Sequence, residues 1–175
     1  MKGMESMSAR GRTYRAHALG GVAVAVALWL SAAPGYAQTP LSALHGAWAG
    51  TGTINMANGA SERIRCRAAY AVASGGRRMQ QNLTCASDSY KFVLASDIAF
   101  EGGALTGNWS ESSRNVGGGL TGTARGNQIV AKADGGLFSA NISLVTQGDK
   151  QQVAITSQGG DITGVTITLS KGKGH

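Results

Sequence analysis

The chain has 175 residues, 16 of them Lys or Arg against nine Asp or Glu, for a formal charge of +7. Its length suits a single core. Four of the basic residues (Lys2, Arg10, Arg12, Arg15) and Glu5 lie in the first 15 positions, so the rest of the chain carries only +4, too weak an excess to argue nucleic-acid binding.

Those four basic residues precede an apolar run, GGVAVAVALWLSAA (20–33), and then PGYAQ, with Gly35 and Ala37 at the small-residue positions of a cleavage site. This pattern predicts a secretory signal peptide over 1–37 and a mature domain over 38–175. The run has 14 residues, short of the roughly 20 a spanning helix needs. The expected location is periplasmic or secreted, with no transmembrane span.

From residue 47 onward no helical period of useful length occurs. Short alternating runs of Val, Ile, Thr, Ala and aromatics recur instead, split by Gly, Asp, Asn and Ser about every ten residues. Strands are predicted at 47–55, 62–73, 78–86, 89–99, 104–112, 119–125, 128–133, 137–145, 150–157 and 162–170. The segments 56–62 and 112–119 read as longer loops, and the other connections as hairpin turns. The predicted fold is all-β: an antiparallel meander barrel, or barrel-like sandwich, of about eight to ten short strands. Large-apolar–Thr–Gly recurs at Leu105–Gly107, Leu120–Gly122 and Ile162–Gly164. A curved barrel wall that needs glycine for close strand approach accounts for it better than an ancient repeat does.

The second and third strands carry the two cysteines, and an exported chain with two cysteines implies one disulfide. A turn centred on Gly75 and Gly76 sets Cys66 opposite Cys85, Ala68 opposite Leu83, Tyr70 opposite Gln81 and Val72 opposite Met79. Those residues form one apolar face. A two-residue turn makes 66/85 a hydrogen-bonded pair, the wider of the two pair types. A bulge or added twist near Ser74–Arg77 is expected to relieve this. The same register puts Arg63, Arg65 and Arg67 on the outer face, with Asp88 opposite Arg63. Arg65 and Arg67, with Arg77 and Arg78 at the turn, are therefore the candidates for anion contact.

Catalytic patterns are lacking. There is no G-x-S-x-G, no H-E-x-x-H, no phosphate-binding glycine motif and no calcium loop. S-x-x-K occurs at Ser170–Lys173, in the last few residues. His45 and His175 have no acid or nucleophile beside them, and no metal site or cofactor is expected. The sequons at Asn82, Asn108 and Asn141 fall inside strands and read as chance in a Thr/Ser-rich chain. An outer-membrane barrel is disfavoured by outward Arg, Gln, Asn and Ser and by an aromatic content of 6%.

The stretch LHGAWAGTGTI, with Gly46 and Trp48, resembles the G-x-W opening of the first strand in calycins, the group of lipocalins, fatty-acid-binding proteins, avidins and nitrobindin-like barrels. The resemblance implies a barrel closed at one end by Trp48 and holding a small, usually apolar ligand. No histidine stands in the C-terminal strands where a haem ligand would be looked for. Trp48, Tyr70, Gln81, Trp109 and Glu111 are the cavity candidates. The expectation is a non-enzymatic binding module for a small apolar or amphipathic ligand. The alternative is an envelope protein that meets an anionic polymer, lipid head groups or a protein partner through its arginines.

Overall fold

A computed structural model describes residues Thr39–Gly172; the expected signal peptide, Lys173 and His175 lie outside the described residues. Ten strands follow in chain order: β1 Gly46–Met56, β2 Ser61–Ala73, β3 Arg78–Ala86, β4 Lys91–Glu101, β5 Ala104–Glu111, β6 Val116–Arg125, β7 Gln128–Asp134, β8 Ser139–Gln147, β9 Lys150–Gln158 and β10 Ile162–Lys171. Each pairs antiparallel with its chain neighbours, and β1 also pairs with β10, from Trp48↔Lys171 to Met56↔Ile162. The meander therefore closes into a barrel with no free edge. The barrel-like sandwich considered from the sequence is set aside by that closure.

Strand formation follows from the alternation. In β2 the even residues Ile64, Cys66, Ala68 and Tyr70 are buried while the odd residues between them are exposed, and β5 and β7 repeat the pattern. A sheet with one wet face stabilises this period and no other. The buried faces converge on a core that includes Trp48, Ile54, Ile64, Met79, Leu83, Leu105, Leu120, Ile167 and Leu169. One barrel end is covered by a 3₁₀ turn, Ser42–Leu44, with Leu41 and Leu44 buried beneath it. Thr39 Oγ1 donates to the Gly76 carbonyl at 3.0 Å, which ties this cover to the β2–β3 connection.

The register of the cysteine hairpin is as the sequence predicts, and the disulfide joins Cys66 to Cys85. Its turn differs. The last pair is Ala73↔Arg78, so four residues, Ser74–Arg77, make the connection, and Ser74, Gly75 and Gly76 all take positive φ. With the register unchanged, a four-residue connection shifts the alternation of hydrogen-bonded and non-hydrogen-bonded pairs by one step and puts 66/85 at the narrow type of pair. Their Cα atoms are 4.1 Å apart, in keeping with that site.

Three strand boundaries also move. β4 begins at Lys91, because Ser87 and Tyr90 close a turn in which the Ser87 amide donates to the Tyr90 carbonyl. β8 begins at Ser139, because Gly135 and Phe138 close another. β6 begins at Val116, inside the expected loop 112–119. Its glycines are strand residues: a Cβ on Gly118 would collide with the Asp134 carbonyl. Gly107 and Gly122 have the same role, with their inward side closed off by the Asp97 and Val130 carbonyls of the next strand. Gly164 meets only ordinary contacts, the nearest at 3.4 Å, so the recurring triplet marks close approach at two of its three sites.

Candidate functional site

The five cavity candidates all sit on inward-facing positions, in different settings. Trp48 is 1% exposed and belongs to the end cap. Its Nε1 donates to the Leu44 carbonyl at 2.7 Å, and the Lys171 ammonium lies 5.5 Å from its ring centre. Tyr70 is buried, and its hydroxyl donates to Gln151 Oε1 at 2.9 Å. Burial pushes its phenol well above the usual range, which the Gln151 contact only partly offsets. Gln81 is half-buried and accepts from Ser96 Oγ at 3.1 Å. Trp109 is buried edge-on against Phe138, with ring centres 5.9 Å apart.

Glu111 lies on the same face as Trp109, but its carboxylate is committed to the backbone. It accepts from the amides of Val93 (2.9 Å), Ser113 (3.0 Å) and Arg114 (2.8 Å). The Arg114 guanidinium stands 3.7 Å from it and 4.5 Å from the centre of the Phe92 ring. Burial alone would raise the Glu111 pKa; the hydrogen bonds from Val93, Ser113 and Arg114 outweigh it and hold the carboxyl below its ordinary value. The residue pins the β5–β6 connection.

Two interior polar residues escape sequence selection. Gln151 is fully buried and Thr146 is 6% exposed, and they are cross-strand partners on β9 and β8. Gln151 Nε2, Thr146 Oγ1 and Trp109 Nε1 are buried with no hydrogen-bond partner among the described residues. Both residues were legible by parity: Gln151 alternates with Val153 and Ile155, and Thr146 with Leu144. Around the waist of the barrel the inward Leu94, Ile142, Ile155 and Val165 are only half-buried.

Outside, Arg63, Arg65 and Arg67 project from β2 and are exposed. The expected Arg63–Asp88 pair does not form. The β2–β3 ladder ends at Arg65↔Ala86, and Asp88 falls in the turn beyond it. Glu62 accepts from Ser87 Oγ there, which also lowers its pKa. None of the three arginines has a carboxylate within 4.0 Å among the described residues. Arg78 stands 3.9 Å from Asp97, both exposed, and Arg77 and Arg78 lie beside the covered end, about 20 Å along the hairpin from Arg67.

A recess of about 440 Å³ adjoins the row on the outer wall. One line of its residues follows the register from Arg63 through Thr53, Thr166 and Ala154 to Ser143. The next runs from Thr51, the partner of Arg65, through Thr168 and Gln152 to Val145. A second recess, of about 410 Å³, crosses the outside of β3–β5.

Comparison with known proteins adds fold but no family. No protein-family model matches the chain, and no curated protein matches it by sequence. Among solved structures, Rv2717c from M. tuberculosis is similar at a TM-score of 0.62 and 15% identity, over 76% of this chain and 95% of that one. The S-type phycobiliprotein lyase CpeS from Guillardia theta is similar at a TM-score of 0.57 and 9% identity, over 77% and 92%. At such identities the likeness concerns the barrel, which is lipocalin-like.

Proposed function

We propose that this chain is an exported, non-enzymatic binding protein that takes a small amphipathic ligand into its barrel. The observation that carries the reading is the set of buried polar atoms left without a hydrogen-bond partner among the described residues, inside a largely apolar interior. Buried polar groups are ordinarily hydrogen-bonded, and a few unspent ones in an apolar enclosure are what a ligand pocket offers. Gln151 Nε2 can donate, Thr146 Oγ1 can donate or accept, and Tyr70 holds the Gln151 amide in place through Oε1. A ligand head group with an acceptor oxygen would take these bonds. Its apolar body would lie against Leu94, Ile142, Ile155 and Val165. The outward positions of β8–β10 and β1–β3 are mostly Thr, Ser, Gln, Ala and Arg, which supports a water-soluble barrel rather than one set in lipid.

The test uses the purified chain and a fluorescent fatty acid, read by displacement and by native mass spectrometry of lipid-loaded protein. The expected result is a displaceable complex at one ligand per chain. Gln151→Leu should weaken a carboxylate-headed probe by about tenfold, the worth of one hydrogen bond to a charged group, and leave an uncharged apolar probe unaffected. Absence of any bound or displaceable ligand would sink the reading.

A further inference from the structure

The outer wall of β8, β9, β10, β1, β2 and β3 forms a continuous surface with no outward carboxylate. The chain's acidic residues within the described region lie elsewhere. Asp97 and Glu101 are on β4, Asp134 is on β7, Glu62 and Glu111 face inward, and Asp88, Asp149 and Asp161 are in connections. Arg63, Arg65 and Arg67 stand on this surface at intervals of roughly 6.5–7 Å, flanked across the ladders by Ala49, Thr51, Thr53, Thr84 and Ala86. A charge row without counter-charge is not an ion-pair network, and its potential extends over its neighbours. The recess of about 440 Å³ opens directly from Arg63 and crosses five strands, a width of roughly 19 Å at ordinary strand spacing.

We propose that this recess and the arginine row together form a binding site for an acidic polysaccharide. Carboxylate or sulfate groups would sit on Arg63, Arg65 and Arg67, and neighbouring sugar hydroxyls would bond the Thr51, Thr53, Thr166 and Thr168 hydroxyls and the Gln152 amide. The planar arginine fork can donate two parallel hydrogen bonds to a pair of oxygens on either anion. The lining itself favours this class. It offers no aromatic side chain on which bases could stack, as single-stranded nucleic acid requires. Nor does it carry a large exposed apolar residue to enter a membrane interface. Hydroxyls and charge are what remain. The inference is independent of ligand binding in the interior, since it uses the opposite side of the same wall.

Titration of the purified chain with heparin (sulfated) and polygalacturonate (carboxylated), by calorimetry at several salt concentrations, tests it. Phosphatidylglycerol vesicles and poly(dT) serve as competing probes. The expected result is salt-dependent binding of at least one polysaccharide, tighter than either competitor. The triple variant R63Q/R65Q/R67Q should lose at least about tenfold in affinity, as charge-assisted bonds are lost. A control of equal charge, R77Q/R78Q/R125Q, removes cations away from the arginine row and should lose less than about threefold, the scale of screened surface charge. Ala154→Glu, which sets a carboxylate in the recess, should weaken binding while leaving the melting temperature unchanged. Equal losses in the two triple variants, binding indifferent to Ala154→Glu, tighter binding to vesicles or poly(dT), or no binding to either polysaccharide would each overturn the proposal.

Discussion

Glu111 illustrates how much a single side chain can do without serving a ligand. Its carboxylate gathers three backbone amides, one from β4 and two from the β5–β6 connection, a set that favours the ionised form. Because the folded pKa is below the ordinary 4.5, the contribution is present above that value and is lost as pH falls through the lower folded one. Thermal melting from pH 7 down to pH 3 should therefore show a stability loss beginning near pH 4.5. Glu111→Gln should flatten that part of the curve and cost about 1–3 kcal/mol at neutral pH, the scale of buried charged hydrogen bonds. A wild-type acid profile in the variant would show that other carboxylates dominate. From the sequence, Glu111 could be placed on the Trp109 face by counting in twos. Its commitment to three amides could not be read, because it depends on where Ser113 and Arg114 turn back.

At the scale of strands, alternation made most of the barrel legible. The period of two in β2, β5 and β7 survives in the burial almost residue for residue, because Thr, Ala and Arg on one side and Ile, Leu and Trp on the other leave a strand no second choice. Glycine was the harder residue. In Gly117–Gly119 the same composition that marks a turn instead lets β7 approach β6. Substitution separates the two roles. Gly107→Ala and Gly122→Ala should each destabilise by about 1–3 kcal/mol, as overpacking does, while Gly164→Ala should stay within about 0.5 kcal/mol. Urea denaturation would decide, and equal effects at all three would contradict close approach as the reason for Gly107 and Gly122. The disulfide spans 19 residues of sequence, so its removal as C66A/C85A should cost about 3 kcal/mol, read as a lower urea midpoint. Arg63 shows the limit of hairpin register: the pairing rule holds through Arg65↔Ala86, and the turn beyond carries Asp88 away.

For the whole molecule the decisive contact is the least visible in sequence. β1 and β10 lie at opposite ends of the domain, yet their pairing removes both sheet edges and brings Lys171 over Trp48. Nothing local announces such a closure; only the even number and similar length of the strands suggest it. A chain ended at Gly160 would lose Ile167 and Leu169 from the core and expose β1 and β9 as edges. It should fail to melt cooperatively by circular dichroism and should elute as aggregate in size exclusion. A monomeric, cooperatively melting product would mean that nine strands suffice. The position of the disulfide also bears on the order of events during assembly. Cys66 and Cys85 are 2% and 3% exposed and packed into the core, so oxidants and thiol reagents reach them far less readily once the last strand has docked. Oxidation is therefore favoured while the hairpin is still open to solvent. Chains that close first as dithiols should oxidise slowly, and iodoacetamide should alkylate them more slowly than it alkylates the unfolded chain.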